Sequence, residues 1–260
     1  MYNISICLLT KDEQDYINEF LEWHINIGVD HFYIYDNSED FSLHKYVNND
    51  FVHYCTFIDY SKMRGQRTQI NAYNDCLNKV KDETKWLAFI DTDEFIRITD
   101  GRNIKDFLKD YEQHDGLYIK WLIYNANGQI HKDNRPQRER FTNTVDYKCH
   151  NWDGKSIIQP KKIKSMDVHT PFGNPRIDFE LVDENHNRIY DTAISYSSRN
   201  KIILDHYFTR SYDEYVEKLQ RGNIAGWVRK MYEFFDHNED LKGKVGDIYV
   251  NSWFTKIYFK

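Results

Sequence analysis

The sequence predicts an α/β fold in which a mainly parallel sheet is flanked by helices, with an irregular second half and further helices near the C terminus. Apolar runs typical of strands alternate with amphipathic helical patterns through the first half of the 260 residues. The fourth apolar run ends in a cluster of carboxylates, whereas regular alternation is lost after residue 125. Alternation of strands and helices favours parallel strands joined by helical crossovers.

The elements of the first half follow in order. Ile4 to Leu9 is a predicted strand, and Thr10-Lys-Asp-Glu13 has the capping-box spacing that opens a helix. Gly28 is suited to end that helix with a left-handed cap. The remaining predicted elements are strands at residues 31–35, 52–58, 86–90 and 117–124, and helices around residues 70–80 and 104–111.

The second half is less regular. Asn125 to Arg140 is a polar loop, and its length predicts a lid that is mobile without ligand. Ser211-Tyr-Asp-Glu214 is a second capping box, which predicts a helix ending at Gly222. Short strands around residues 156, 179 and 202 are predicted to form an antiparallel extension, with a hairpin turn at residues 183–187. We expect two domains, at residues 1–222 and 223–260.

The composition favours a soluble enzyme and excludes other classes. A formal net charge of −6 argues against a dedicated nucleic-acid binder. No apolar stretch approaches a membrane span, and the first residues lack the pattern of a signal peptide, so we expect a cytoplasmic protein. Neither disulfides nor structural zinc are implied, because no Cys-x-x-Cys spacing joins Cys7, Cys55, Cys76 and Cys149.

The most informative segment is Trp86 to Phe95, an apolar run that ends in three carboxylates. Asp91 and Asp93 fall on one face of an extended chain, because side chains alternate with a period of two. The carboxyl ends of strands are where open α/β sheets bind ligands, and paired carboxylates suit a divalent cation. The alternative interpretation of Asp-x-Asp is a solvated turn.

Ordered blocks along residues 3–222 resemble the GT-A glycosyltransferases of the family 2 and family 92 type, including a bacterial group with an Asp-x-Asp-Glu-Phe motif. The blocks that carry the resemblance are Lys11-Asp-Glu13, Phe20-Leu-Glu-Trp-His24, Gly28-Val-Asp30, Tyr33-Ile-Tyr-Asp36-Asn-Ser38, Gln69 with Ala72-Tyr-Asn-Asp-Cys76, Trp86 to Phe95, Glu139-Arg-Phe141, Lys155-Ser-Ile157, Val168-His-Thr-Pro171 and Asp205 to Ser211.

The resemblance implies a nucleotide-diphosphate-sugar donor with uridine as the expected base, and a Mn²⁺ or Mg²⁺ ion. It also implies inverting transfer of the sugar to a hydroxyl of a glycan or lipid-linked acceptor, in surface polysaccharide assembly. The chemistry is consistent, because a cation held by carboxylates neutralises the charge of a leaving diphosphate. Nucleic acid is not an expected partner.

The resemblance also assigns roles to individual residues. The metal ligands are Asp91, Asp93 and His206, with His169 as the competitor for the histidine position. Asp36 matches the position that reads the nucleotide base, although Asp36-Asn-Ser38 is also good turn chemistry. The donor-binding candidates are Thr10, Lys11, Glu13, Asp36, Gln69, Asp91, Asp93, Lys155, Arg210 and Lys218. The alternative for Thr10, Lys11 and Glu13 is a helix cap. The alternative for Lys155, Arg210 and Lys218 is that they are surface charges.

Single displacement needs a carboxylate that takes the acceptor's proton, and Asp153 and Glu214 both remain candidates for this base. Two rival functions stay open, namely a metal-dependent phosphohydrolase and a non-catalytic protein that binds sugar nucleotides or glycans. In the tail after Asp240, aromatic and apolar residues recur at helical spacing among lysines, from Val250 to Tyr258. This pattern predicts a helix that contacts the inner face of an anionic membrane or packs on protein.

Overall fold

The computed structural model describes residues 1–145, 154–191, 198–222, 231–242 and 244. They form two compact units, the first from residues 1–122 and the described part of 154–206. The second unit contains residues 123–145, 207–222 and the described residues from 231 onward. The boundary at residue 222 stays a prediction.

The first unit is built on a mixed, mostly parallel sheet, which confirms the predicted fold class. In the described part of the chain it has nine strands in the order β3-β2-β1-β4-β7-β6-β9-β5, with β8 beside β6. The strands are β1 (Tyr2–Thr10), β2 (His31–Asp36), β3 (Cys55–Asp59), β4 (Thr84–Phe89), β5 (Glu94–Ile98), β6 (Gly116–Ile123), β7 (Gly154–Ile158), β8 (Leu181–Val182) and β9 (Ile202–His206).

Helices flank this sheet, and the parallel strands β1, β2 and β4 are buried on both faces along most of their length. On one face Cys7 and Leu9 of β1 pack in a core with Tyr73 and Leu77. The alternate residues of β1, such as Ile6, are equally buried, as expected for a parallel strand covered on both sides. The described helices of the first unit are α1 (Ile17–Asn26), α2 (Asn49–Val52), α3 (Thr68–Val80) and α4 (Ile104–Leu108). Those of the second unit are α5 (Gln137–Arg140), α6 (Tyr212–Arg221) and α7 (Met231–His237).

The start of α1 differs from the prediction, whereas its end agrees. The helix begins at Ile17 after Tyr16, which makes no side-chain cap, so the capping box predicted at residues 10–13 is wrong. At the other end, Gly28 has φ = 106°, and its N–H and that of Val29 donate to the carbonyls of Ile25 and His24, both at 2.9 Å. These two hydrogen bonds form the predicted left-handed cap.

Two strands near the middle of the sequence also differ from expectation. The third strand begins at Cys55 rather than residue 52, because Asn48 caps a short helix over residues 49–52. The sequence does not predict the strand β5, which begins at Glu94, the last carboxylate of the acidic cluster. It pairs antiparallel with β9, which places Glu94 opposite His206.

The antiparallel extension is confirmed for β7, which pairs with both β4 and β6. The strand expected around residue 179 is instead β8, two residues long, and it pairs with β6 in parallel. The hairpin turn at residues 183–187 is confirmed, since the N–H of Asp183 donates to the carbonyl of Asn187 at 2.9 Å.

In the second unit the capping box at Ser211 is confirmed: the Ser211 side chain accepts from the N–H of Glu214, and the Glu214 side chain accepts from the N–H of Ser211. Residues 125–140 are not a free loop. Ala126, Gln137 and Arg140 are buried, and the segment contains α5. None of the described helices is long and apolar enough to cross a membrane.

Candidate active site

Asp91 and Asp93 lie in the connection between β4 and β5, and Glu94 is the first residue of β5. The strand β4 runs parallel to β1, so its carboxyl end shares an edge of the sheet with the end of β1. At this edge the N–H of Glu94 donates to the carbonyl of Asp91 at 3.0 Å, which closes a tight turn. The turn brings Asp91 and Asp93 to the edge where ligands bind in open α/β sheets.

Asp91 is held by three side chains. Gln69 Nε2 and the Tyr73 hydroxyl, both from α3, donate to Asp91 Oδ1 at 3.0 and 3.3 Å. Lys155 Nζ donates to Asp91 Oδ2 at 3.1 Å. The Asp91 side chain keeps 33% of its surface exposed, whereas Lys155 keeps only 1%, so the lysine is buried behind a carboxylate that faces solvent.

The buried Lys155 remains charged. Burial by itself lowers the pKa of an amine, but the carboxylates of Asp91 and Glu94 outweigh it and place the pKa of Lys155 well above its usual range. The position of Lys155 depends on a close approach of β7 to β6. A Cβ atom on Gly154 would lie 1.9 Å from the Ile119 carbonyl oxygen, so only glycine fits before Lys155.

His206 comes next to Asp93 through strand pairing. Glu94 lies opposite His206 in the antiparallel ladder of β5 and β9. His206 Nε2 is 3.6 Å from Asp93 Oδ1, and both side chains are largely buried. Two ligands of one cation, each about 2.1 Å from it and at right angles, lie about 3 Å apart. The pair of His206 and Asp93 is wider than this, so it closes on a divalent cation with a small movement of one side chain.

Asp91 fits such a cation less directly, because both of its oxygens already accept hydrogen bonds from the side chains of α3 and β7. Within the described ranges, no group of three His, Cys, Asp or Glu side chains is placed to hold a metal. The predicted ligand set of Asp91, Asp93 and His206 therefore stays a prediction, with Asp93 and His206 as its best-placed members.

Glu94 lies directly behind the turn and is fully buried. Burial raises the pKa of its carboxyl group well above the usual range; Lys155 opposes this effect, and Asp91 and Asp93 add to it. Sequence reasoning gave no role to Glu94, Tyr73 or Trp121. Tyr73 lies in the helix predicted around residues 70–80, and nothing in the local sequence links Trp121 to residue 94.

The nucleotide-binding candidates lie at the same edge of the sheet. Thr10 is opposite Asp36 in the parallel pairing of β1 and β2, and Thr10, Glu13 and Asp36 are buried. The Asp36 carboxylate accepts from the N–H groups of Ser38 and Leu43 at 2.9 and 3.0 Å, so it fixes the following loop. The base-reading role of Asp36 and the nucleotide contacts of Thr10, Lys11 and Glu13 stay predictions.

The competing histidine, His169, pairs through Nδ1 with the carbonyl of Gly154 at 3.0 Å, and its ring lies edge-on to Trp121 at 5.4 Å. The catalytic-base candidate Asp153 falls outside the described residues. The roles of His169 and Asp153 therefore stay predictions.

The other three candidates belong to the second unit. Arg210 Nε donates to Gln137 Oε1 at 3.1 Å, and Lys218 Nζ donates to the Phe208 carbonyl at 2.9 Å. The Glu214 side chain is 1% exposed and accepts two hydrogen bonds from Arg140, at 3.0 and 2.5 Å. A general base has to reach the acceptor hydroxyl, and the burial of this carboxylate argues against Glu214 in that role.

Comparison with known proteins identifies relatives over most of the chain. The model of glycosyltransferase family 92 matches residues 2–236. A family 92 protein of Oryza sativa subsp. japonica is 25% identical over 234 residues, which cover 87% of this chain and 36% of that protein. A galactan β-1,4-galactosyltransferase of Arabidopsis thaliana is 24% identical over 107 residues, or 39% of this chain and 21% of that protein.

Among solved structures, UDP-glucose pyrophosphorylase complexed with UDP-glucose is similar with a TM-score of 0.36 and 10% identity, over 84% of this chain and 97% of that one. The family 92 relative is much longer than this chain, which spans 36% of its length. The expected likeness to family 2 and to a bacterial group stays a prediction. Because the family model covers residues 2–236 of 260, the chain belongs to glycosyltransferase family 92.

Proposed function

We propose that this chain transfers a sugar from a nucleotide-diphosphate donor, with UDP as the expected carrier, to a hydroxyl of a glycan or lipid-linked acceptor. The observation that carries the proposal is the convergence of Asp91, Asp93, Lys155 and His206 at one edge of the sheet. Family membership and the galactosyltransferase relative support the same reaction class. Inversion at the sugar and a role in surface polysaccharide assembly are part of the proposal.

The charged residues divide the work of holding the donor. Asp93 and His206 would hold Mn²⁺ or Mg²⁺, which supplies neutralisation of the charge that develops on the leaving diphosphate. Lys155 stays protonated and offers a second positive charge to the diphosphate. Gln69 and Tyr73 fix Asp91, which in turn holds the ammonium of Lys155 in place.

The remaining parts of the proposal rest on the sequence. Thr10, Lys11, Glu13 and Asp36 bind the nucleotide, Arg210 and Lys218 bind the diphosphate, and Asp153 is the base that takes the acceptor's proton. The protein acts in the cytoplasm and contacts the inner face of the membrane through its tail. Residues 245–260 lie outside the described part of the chain, so this contact is proposed from their aromatic and basic sequence pattern.

The test of the cation site is Asp93→Asn, which keeps the shape of the side chain and removes its charge. We expect turnover of a UDP-sugar to fall by at least about 10²-fold, because a fixed charge at the leaving group is lost in the transition state. Sugar transfer should be measured over a panel of UDP-sugars, with Mn²⁺, Mg²⁺ or EDTA.

The surface substitution Lys161→Met is the control, since Lys161 is 61% exposed. Wild-type activity and metal dependence in Asp93→Asn would refute the proposed cation site. Hydrolysis of simple phosphate esters would favour a phosphohydrolase, and donor binding without turnover on any acceptor would favour a non-catalytic protein.

A further inference from the structure

The buried carboxylate of Glu94 joins two parts of the candidate site. Its Oε2 accepts from the backbone N–H of Asp91 at 2.9 Å, and its Oε1 accepts from the indole N–H of Trp121 at 2.7 Å. The first bond fixes the turn that carries Asp91 and Asp93. The second bond fixes the orientation of an aromatic ring on β6.

That ring packs against the histidine of the site. The centroids of the Trp121 and His206 rings are 4.6 Å apart, with a tilt of 46° between the ring planes. His206 in turn presents Nε2 to Asp93 at 3.6 Å. A chain of direct contacts therefore runs from the backbone of Asp91 through Glu94 and Trp121 to the His206 ring.

We propose that Glu94 and Trp121 form a positioning pair that sets the distance between Asp93 and His206. Glu94 holds the acidic turn on one side and the indole on the other, and the indole holds the imidazole facing Asp93. This inference rests on the proposed function, because it deepens the cation site. Neither residue binds the cation; both act through the side chains that do.

The pair depends on the chemistry of both residues. A carboxylate offers two acceptor oxygens, so Glu94 satisfies both donors at once. Glutamine at this position offers one acceptor and one donor, and can satisfy only one of them. Phenylalanine at position 121 keeps an aromatic ring against His206 but leaves Glu94 Oε1 buried without its donor.

The experiment is a titration of the full chain with Mn²⁺, with free Mn²⁺ followed by its EPR signal. We expect Glu94→Gln and Trp121→Phe each to weaken Mn²⁺ binding by about 10-fold or more, as removal of partners that orient metal ligands generally does. The affinity of the double variant for Mn²⁺ should be close to that of the more affected single variant, because both changes break the same Glu94–Trp121 contact.

A second readout needs no metal. The indole N–H resonance of Trp121, assigned by its loss in Trp121→Phe, should move in Glu94→Gln because its carboxyl acceptor is replaced by an amide. Glu94→Asp keeps the carboxyl group but is one methylene shorter, so it should also fail to reach both donors. Thermal unfolding of each variant establishes that it is folded.

Trp23 provides a matched control in the same unit, since its indole N–H donates to the Ile96 carbonyl on β5 at 2.8 Å. Trp23→Phe should leave Mn²⁺ affinity unchanged within about two-fold. If the wild type binds Mn²⁺ and folded Glu94→Gln and Trp121→Phe bind it equally well, the positioning pair is refuted and the proposed function stands. If neither the wild type nor Asp93→Asn binds Mn²⁺, the cation site and the pair both fall.

Discussion

Each unit buries a basic side chain against a carboxylate, but the two carboxylates differ in their exposure to solvent. In the second unit Arg140 and Glu214 are both 1% exposed, so the ion pair is closed to solvent on all sides. In the first unit Lys155 is equally buried, yet its partner Asp91 keeps 33% of its side-chain surface exposed. One pair is sealed, and the other is open on its acidic side.

This difference separates a structural pair from one that is available to a ligand. Arg140 donates two hydrogen bonds to Glu214, and Ser211 adds its side-chain hydroxyl and its backbone N–H, so the carboxylate is fully satisfied inside the protein. Asp91 is satisfied from within on one side and faces solvent on the other. A charged ligand that arrives from solvent can therefore approach the open pair but not the sealed pair.

The largest expected effect is on stability, and it belongs to the sealed pair. Arg140→Met should lower the free energy of unfolding by about 3–5 kcal/mol, because it leaves the Glu214 charge buried without a partner. Urea denaturation at neutral pH measures this change. The control is Arg135→Met, which removes an exposed partner of Asp133 and should leave the midpoint unchanged. Equal midpoints for the two variants would show that the sealed pair contributes no more than a surface pair.

Breaking the open pair should change ligand affinity more than it changes stability. Lys155→Met should cost only about 1–3 kcal/mol of stability, because the exposed side of Asp91 regains hydration. Its affinity for UDP with Mn²⁺ should fall by at least about 10-fold, or roughly 1.4 kcal/mol, since the buried positive charge is lost. Calorimetric titration measures the affinity, and Arg140→Met, if folded, is the comparison. Unchanged UDP affinity in Lys155→Met would remove Lys155 from the donor site.

The smallest expected effect concerns the cap that supports the sealed pair. Ser211→Ala should lower the free energy of unfolding by about 1 kcal/mol, the usual cost of losing a helix N-cap. Arg140 still neutralises Glu214 in this variant, so the loss should stay well below that of Arg140→Met. Denaturation of both variants under one set of conditions decides the order. A larger loss from Ser211→Ala would mean that the hydroxyl, rather than the arginine, stabilises Glu214.

The two capping-box patterns show how far the local sequence predicts the fold. Ser211 to Glu214 and Thr10 to Glu13 have the same spacing, yet only the first caps a helix. Thr10 is still part of β1, and its carbonyl accepts from the N–H of Asn37, so strand pairing overrides the local pattern. The strands β1, β2, β4 and β6 and the Gly28 cap were predictable because their signals are local and agree with the tertiary packing.

The candidate site was likewise predictable only where its residues are adjacent in the sequence. The carboxylates at the end of β4 were visible because the apolar run and the acidic cluster are adjacent in the sequence. Lys155 and His206 were suggested only by resemblance to known families, since their places depend on the register of β7 with β6 and of β9 with β5. Trp121 was missed because its link to Glu94 spans 27 residues and is made through a side chain.

The pairing of β9 with β5 has a consequence for biosynthesis. The candidate cation site and the side chains that hold it come from segments between Gln69 and His206, and β9 is the last described strand of the sheet to be synthesised. A nascent chain that ends between residues 94 and 205 contains both aspartates of the acidic turn but lacks the His206 imidazole. Contacts this distant in sequence form late, because the intervening chain must first lose its freedom. The candidate cation site is therefore completed only when the growing chain has added the edge of the sheet that carries β9.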